Sequence, residues 1–458
     1  MRTEHPRSPT DSHGTTTGSG TTTATNDSDA VVLEGPVQVE DGDDLQTAVD
    51  VAAEGATVEV GDGTYGFVTA KTQDLTVEGP NAGTPGADTR DKEAIVEGGV
   101  TVDASGVTVD GMRIENDGRD GVRLKNPDDD IKIQNSVITD ITGGTKAAGN
   151  GVQIWLDKPI NKGAENIRIL NNKISNISTS NDNGDTLAIG VNVLPRGNDV
   201  EGLNISGNSF TGIEPGPSNK LKRARGVSID TQLDGENATG SVDGVVIEDN
   251  EFDGLTGDIV RAVALFETTE TANPVGPKNF RIMRNGFYNL DGKVGAAAVN
   301  VGLYEELGSS HAVTMNNIED GAVLRTAGER DSFSVSEADS LNAARNWWGD
   351  TTGPGGDGPG DGQPVLTNDT VTQQPKITAE LVDFEPWLDG KVGENPSPVT
   401  GERDEERTKR RNLGRDEVED TPPAGDEPVN RGVGRGENKR GSGSCDAYVL
   451  VASPSDSR

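Results

Sequence analysis

The chain has 458 residues, of which 77 are acidic and 41 basic, and its formal net charge is −36. This charge excludes nucleic acid and anionic membrane surfaces as partners, because both would be repelled. The single cysteine, Cys445, excludes an internal disulfide framework, and no stretch reaches the roughly 18 consecutive apolar residues of a membrane span.

The N-terminal part of the chain predicts a tail followed by a short helix. Residues 1–30 are rich in Thr, Ser and Gly, contain no apolar signal-peptide core, and are predicted to be disordered. Residues 41–55 predict a short helix with Asp43 or Asp44 as its N-cap. Residues 56–66 predict a strand that ends in a glycine turn.

An internal repeat occupies most of the chain. Eight-residue stretches with apolar positions one, three and eight start 36, 36, 42 and 35 residues apart: IKIQNSVI (131–138), IRILNNKI (167–174), LNISGNSF (203–210), VVIEDNEF (245–252) and FRIMRNGF (280–287). A second series alternates with them: GVRLK (121–125), GVQIW (151–155), GVNVL (190–194), GVSID (226–230), AVALF (262–266) and AVNVG (298–302). Two interleaved families of short strands predict a coil of stacked rungs. The predicted fold is therefore all-β, a single-stranded right-handed parallel β-helix over residues 31–390.

Asparagine recurs at position six of the eight-residue stretches, at Asn172, Asn208, Asn250, Asn285 and, in the shortened copy VTMNNI (313–318), Asn316. We interpret these residues as structural. Asparagine tolerates the left-handed conformation expected at the corner of a rung, and stacked amides can hydrogen-bond to one another.

Four aromatic residues lie near the predicted end of the coil, in a chain with only 3% aromatic residues. A β-helix ends in an open rung with unpaired strand edges, and Trp347, Trp348, Phe384 and Trp387 are predicted to cover it as an aromatic C-terminal cap. The alternative is that these rings stack on a glycan. Residues 391–458 are charged, rich in Gly and Pro, and predicted to be a disordered tail.

Parts of the sequence resemble known β-helix proteins. Residues 45–66, 77–86 and 100–116 resemble the N-terminal cap and first rungs of the pectate-lyase-like superfamily, which includes NosD-like copper-accessory proteins and many carbohydrate-active enzymes. Residues 344–356 with DFEPWL (383–388) resemble the ending of secreted and cell-surface β-helix proteins, notably haloarchaeal ones. The resemblance implies an extracellular or cell-surface location, and the acidic composition is typical of a halophile. Copper handling is disfavoured, because His, Met and Cys are scarce.

The second strand family predicts a binding face. Its third positions point outward (Arg123, Gln153, Asn192, Ser228, Ala264, Asn300), as do its fifth positions (Lys125, Trp155, Leu194, Asp230, Phe266). Aromatic rings among amides and cations are typical of sugar recognition. We therefore predict that a polysaccharide or surface glycan is bound by Arg123, Lys125, Gln153, Trp155, Asn192, Asp230 and Phe266. The alternative is that long loops fold over this face and bury Trp155.

The same face could carry catalysis, or no small ligand at all. The resemblance to pectate lyases implies a calcium-dependent polysaccharide lyase or epimerase, with a calcium site beside a cationic base. Asp182 and Asp185 are the candidate metal ligands, and Arg223 or Arg225 is the candidate base. A glycoside hydrolase would instead need a pair of carboxylates, for which Asp157 and Asp230 are the candidates. In so acidic a chain, solvated carboxylates remain the alternative to a calcium site. The third possibility is a purely structural surface or adhesion module.

Overall fold

Three long parallel sheets form the sides of the molecule. The computed structural model of the chain describes residues 21–22, 32–125, 129–144, 148–156, 163–179, 184–196, 198–218, 220–231, 240–266, 276–302, 307, 310–326, 341–356, 358–365 and 382–400. The strands of the first sheet are Val37–Val39, Thr57–Val60, Thr76–Glu78, Thr108–Asp110, Lys132–Gln134, Arg168–Leu170, Asn204–Ser206, Val246–Glu248, Arg281–Met283, Ala312–Thr314, Leu341–Asn342 and Val382–Asp383.

The second and third sheets run alongside the first. The strands of the second sheet are Gly63–Tyr65, Ala94–Glu97, Arg113–Asn116, Val137–Gly143, Lys173–Thr179, Ser209–Ile213, Glu251–Asp253, Gly286–Tyr288 and Asn317–Ile318. The strands of the third sheet are Val68–Ala70, Val100–Val102, Asp120–Lys125, Gly149–Trp155, Thr186–Leu194, Lys222–Asp230, Thr256–Phe266, Asp291–Gly302, Ala322–Thr326, Pro354–Gly356 and Gly362–Val365.

Smaller elements complete the described structure. A fourth parallel sheet contains Ala164–Glu165, Val200–Glu201, Val242–Asp243 and Pro277–Lys278. Two antiparallel pairs join Thr21–Thr22 to Leu33–Glu34 and Trp387–Leu388 to Pro398–Val399. The helix is Leu45–Val51, and no helix in the described ranges is long and apolar enough to cross a membrane.

Equivalent strands pair in register from one repeat to the next. In the first sheet, Ile133 pairs with Ile169 and Ile169 with Ile205, and all three are fully buried. Alternation along each strand sends such side chains inward, where they join one apolar core that extends along the coil. The predicted all-β fold, a parallel β-helix, is confirmed.

The eight-residue stretches are not single strands. Each covers a strand of the first sheet, a two-residue turn, and the start of a strand of the second sheet, as in 131–138 with Lys132–Gln134 and Val137–Gly143. The left-handed conformation expected at position six lies instead at position five, for example at Asn171 (φ 54°) and Gly207 (φ 68°). That part of the prediction was wrong, because position six turns its side chain into the buried corner.

The position-six asparagines do form a ladder of stacked amides. Asn172 donates from Nδ2 to Oδ1 of Asn208 at 3.0 Å, and its backbone N–H donates to the same oxygen at 2.9 Å. Nδ2 of Asn172 also donates to the carbonyl oxygen of Ile133 at 2.8 Å. The pattern continues through Asn250, Asn285, Asn316 and one further member, Asn346. The ladder therefore hydrogen-bonds these amides inside the core.

A column of small residues lies on the inner side of the third sheet. A Cβ atom at Gly190 would come within 2.6 Å of Phe210, and one at Gly226 within 2.5 Å of Phe252. Glycine is required here because the rings of Phe210 and Phe252 stack at 4.7 Å against this column. The glycine and the valine after it, such as Gly226 and Val227, are both buried. Outward side chains on these strands are consequently three positions apart at this point, not two.

Both ends of the coil are covered. At the N-terminal end, Asp44 caps the helix by accepting from the backbone N–H of Gln46, with Leu45, Ala48 and Val49 buried. At the C-terminal end, Trp348 is fully buried, Trp347 and Trp387 are 9% and 4% exposed, and Phe384 packs against the core. Rings buried to this degree offer no face for stacking on a glycan. Beyond residue 390, the backbone N–H of Val392 donates to Oδ1 of Asn317 at 2.7 Å.

Candidate functional site on the third sheet

The register of the third sheet aligns the predicted outward residues in two columns. The first column contains Arg123, Gln153, Asn192, Ser228, Ala264 and Asn300, each paired with the next. In the second column, Lys125 pairs with Trp155 and Trp155 with Leu194, while Asp230 pairs with Phe266. The Val193–Ile229 pair places Leu194 beside Asp230.

Trp155 is surrounded by three guanidinium groups, which with Asp120 form what we call the Trp155 cluster. The Cζ atoms of Arg196, Arg119 and Arg123 lie 4.3, 5.3 and 5.6 Å from the centre of the ring. A carboxylate, Asp120, has Oδ1 at 3.7 Å from Nε of Arg119. Cation–π attraction offsets part of the repulsion between the like charges. The half-buried ring therefore holds cations in place.

Two of these arginines depend on the turns that flank the strands. Arg119 immediately precedes the strand Asp120–Lys125, and Arg196 follows Thr186–Leu194. Arg196 has φ +50°, a left-handed conformation that costs a non-glycine residue about 1–2 kcal/mol.

A buried polar network underlies the Trp155 cluster. Nδ2 of Asn150 donates to Oδ1 of Asp120 at 2.7 Å and to Oε1 of Gln153 at 2.8 Å, and Nδ2 of Asn192 donates to Oδ1 of Asn150 at 3.2 Å. Burial raises the pKa of the Asp120 carboxyl above its ordinary value, against the opposing effects of Arg119, the Asn150 hydrogen bond and Arg123. The carboxyl of Asp120 is thus held in place by Asn150 beside the converging cations.

A second group of the same kind lies further along the sheet, and we call it the Phe266 cluster. The Cζ atoms of Arg225 and Arg261 lie 4.8 and 5.2 Å from the centre of the Phe266 ring. Arg225 also donates to Oγ of the buried Ser228 at 2.8 Å. Burial lowers the pKa of Arg225 to about 10; Asp230 opposes the shift and Arg223 adds to it. A guanidinium that loses hydration in this way gains from an anionic partner.

Several nitrogen atoms of this face are buried without a hydrogen-bond partner among the described residues. They are Nε of Arg119, Arg123 and Arg225 and Nε2 of Gln153. Buried polar groups are normally satisfied, so each of these donors could still donate to a further acceptor.

The face is not an open platform. Gln153 and Ser228 are 0% exposed, while Trp155, Arg123 and Phe266 are half-buried. The sequence analysis predicted either an exposed binding face with aromatic rings or a face that is covered. Each of these predictions describes one part of the observed face. The polar first column is covered, and the ring-and-guanidinium clusters are partly open.

The remaining predicted residues fall in different places. Lys125 lies 3.7 Å from the carboxylate of Asp103, and Arg223 forms an ion pair with Asp185 at 2.5 Å. Asp157 and Asp182 lie outside the described residues.

These placements bear on the calcium site. Calcium needs several converging oxygen ligands, and the described residues contain no group of three or more His, Cys, Asp or Glu that could hold a metal. Asp185 is paired with an arginine and Asp182 lies outside the described residues, so the calcium site stays a prediction.

Five members of the site were not predicted from the sequence: Arg119, Asp120, Asn150, Arg196 and Arg261. Three of them had a signal. Asp120, Asn150 and Arg261 lie three positions before Arg123, Gln153 and Ala264 of the predicted column, as Arg225 does before Ser228. A strict period of two assigns a residue three positions before an outward residue to the inner side of the sheet. For this reason the prediction missed this third column of outward residues.

No protein-family model matches the chain, and no characterised protein matches it in sequence. Among solved structures, the chain is similar to a mannuronic acid specific polysaccharide family 6 lyase enzyme from human gut microbiota. The two are 13% identical, the match covers 69% of this chain and 87% of that chain, and the TM-score is 0.22. Identity and TM-score this low carry no conclusion about the site, so a function has to be argued from the two clusters.

Proposed function

We propose that this protein binds an acidic polysaccharide along the outer face of the third sheet. The observation that carries the proposal is the Trp155 cluster, in which three guanidinium groups lie within 5.6 Å of one ring. Asp120, whose pKa is raised, is the carboxylate seen beside them. Carboxylate or sulfate groups of a ligand would bind these guanidinium groups through charge-assisted hydrogen bonds.

An extended sugar polymer fits this face better than other anions. Parallel strands repeat about every 4.8 Å and present columns of side chains along the coil, which suits a ligand that is itself extended. The net charge of −36 repels every polyanion alike, so the local arginines have to supply the attraction. Sugars also supply hydroxyl groups, which can donate to the half-buried carboxylate of Asp230 on the second column. With the family resemblance of the sequence, we place this binding outside the cell, in a halophile.

The test uses the full chain with polygalacturonate as probe and neutral dextran as comparison. Arg196→Gly combined with Arg123→Gln removes two of the three cations, and glycine is suited to the φ of +50° at position 196. We expect calorimetry to give at least about tenfold weaker polygalacturonate binding, which corresponds to about 1.4 kcal/mol.

The matched control is Arg284→Gln, which removes an arginine at the corner between the first two sheets, paired with Glu248 and Asp249. It should leave the affinity unchanged. Equal affinity of the parent and the double variant, or equal binding of dextran, would contradict the proposal and favour a structural module.

A second candidate, a uronate lyase, is favoured by Arg225. Of the two predicted bases, Arg223 is paired with Asp185 at 2.5 Å, whereas burial lowers the pKa of Arg225 to about 10. In its deprotonated form, Arg225 could take the proton at C5 of a uronate while the C4–O bond breaks, which leaves a C4=C5 double bond and a departing sugar oxygen that takes a proton from water. Ultraviolet absorbance of unsaturated ends that appears with the parent and is absent in Arg225→Gln would support this activity.

A further inference from the structure

The two ring-and-guanidinium clusters lie on the same column of the third sheet. Trp155 pairs with Leu194, Leu194 lies beside Asp230, and Asp230 pairs with Phe266. The two rings are therefore three strand spacings apart, or about 14 Å at about 4.8 Å for each strand.

Among the described residues, the part of the third sheet between Trp155 and Phe266 has no arginine cluster of its own, unlike the two rings at its ends. Its second-column residues are Leu194 and Asp230, and its first-column residues are the neutral Asn192 and Ser228. The guanidinium groups instead gather over the rings, three at Trp155 and two at Phe266. Positive charge on this face thus has two separated maxima.

We infer that the face recognises two anionic groups of one sugar chain lying along the coil axis, one group at each cluster. This inference rests on the proposed function. The spacing of the strands is close to the length of one sugar residue in an extended chain, so the two groups belong to sugars three positions apart. The sugars between them face the half-buried Leu194 and Asp230, where hydroxyl groups are favoured over further carboxylates. The shortest ligand that reaches both clusters is a tetrasaccharide.

Linking the two contacts predicts how affinity depends on ligand length. Once one anionic group is bound, the second binds as an intramolecular event at a high effective concentration, which raises affinity without a new kind of contact. A chain too short to span both clusters gains nothing from the second. Affinity should therefore rise in a single step between three and four sugars.

The experiment titrates the full chain with linear α-1,4-linked oligogalacturonates of two to six residues, which are the oligomers of polygalacturonate. We expect similar affinities for the di- and trisaccharide, a rise of at least about tenfold at the tetrasaccharide, and little further change. Arg225→Gln combined with Arg261→Gln should remove the step, so that the variant binds the tetrasaccharide no more tightly than the trisaccharide. Should that variant fail to fold by circular dichroism, Phe266→Leu removes the ring that holds both guanidinium groups. Arg284→Gln is the control and should keep the step.

The outcomes separate this inference from the proposed function. A gradual rise with length, or a step that survives in the Phe266-cluster variants, would overturn the two-point recognition and leave acidic polysaccharide binding in place. No binding of any oligosaccharide or of polygalacturonate would overturn both.

Discussion

The pKa of Asp120, at the edge of the Trp155 cluster, is subject to opposing effects of burial and of neighbouring groups. Asp120 is 9% exposed, accepts a hydrogen bond from Asn150 at 2.7 Å, and has Nε of Arg119 at 3.7 Å. Burial is the largest influence and raises the pKa of its carboxyl above the ordinary 3.8. The folded protein therefore holds this proton more tightly than the unfolded chain does.

This imbalance predicts a pH dependence of stability. Because the pKa is raised in the folded state, the contribution of Asp120 to stability falls as pH rises from about 3.8 through the raised pKa. Asp120→Asn cannot titrate and still accepts from Asn150, so the stability of the variant relative to the parent should increase over the same window. Denaturant unfolding from pH 4 to pH 7 measures this. Asp62→Asn, at an exposed carboxylate paired with Lys92, is the control, and a pH-independent difference for Asp120→Asn would refute the prediction.

At the scale of elements, the corner between the first and second sheets depends on the asparagine ladder. Oδ1 of Asn250 accepts from both the backbone N–H and Nδ2 of Asn208, at 2.9 and 3.0 Å. Its own Nδ2 donates to the carbonyl oxygen of Ile205 at 2.8 Å and to Oδ1 of Asn285 at 3.0 Å. One side chain thus satisfies groups on neighbouring rungs.

Removal of one ladder side chain should be costly. Asn250→Ala leaves the backbone N–H of Asn208 buried without a partner, and each such group costs about 1–3 kcal/mol. We expect a loss of about 3 kcal/mol in the free energy of unfolding. Asn204→Ala, at an outward half-buried position of the same repeat family, should change it by less than about 0.5 kcal/mol. Similar losses in both variants would mean that the ladder is not the source of the effect.

At the scale of the whole molecule, the net charge is strongly negative but one face carries a local excess of positive charge. The chain carries −36, yet one face of the third sheet gathers five arginines around two rings. Self-repulsion acts on the folded body as a whole, whereas attraction of an acidic ligand acts at this face. Salt screens both, with opposite consequences.

Salt should therefore move stability and affinity in opposite directions. Between about 0.1 M and about 1 M KCl, the screening length falls from about 10 Å to about 3 Å. We expect the midpoint of thermal unfolding to rise over this range and the affinity for polygalacturonate to fall. Thermal scans and titrations across one salt series test this, with dextran as the uncharged comparison. A midpoint that falls with salt, or a polygalacturonate affinity that rises, would contradict the expected behaviour.

The sequence by itself determined the coil and its columns. In a parallel β-helix, neighbours in space are equivalent positions of successive repeats, so the spacing of the repeats already places Arg123 beside Gln153, and Gln153 beside Asn192. Inward and outward positions follow from alternation along a strand. The asparagine ladder was visible for the same reason.

Only the tertiary structure decided how the site is assembled. Arg119 and Arg196 reach Trp155 from turns, whose backbone conformation no strand period fixes, and the left-handed φ of Arg196 is set by its surroundings. Two consecutive inward residues, such as Gly226 and Val227, shift the outward column by one position and bring Arg225 and Arg261 to Phe266. Repeats fix which strands are neighbours, because pairing is periodic. The charged side chains that come close together are determined by two further features. These are the packing of glycine against the phenylalanine stack and the length of the arginine side chains.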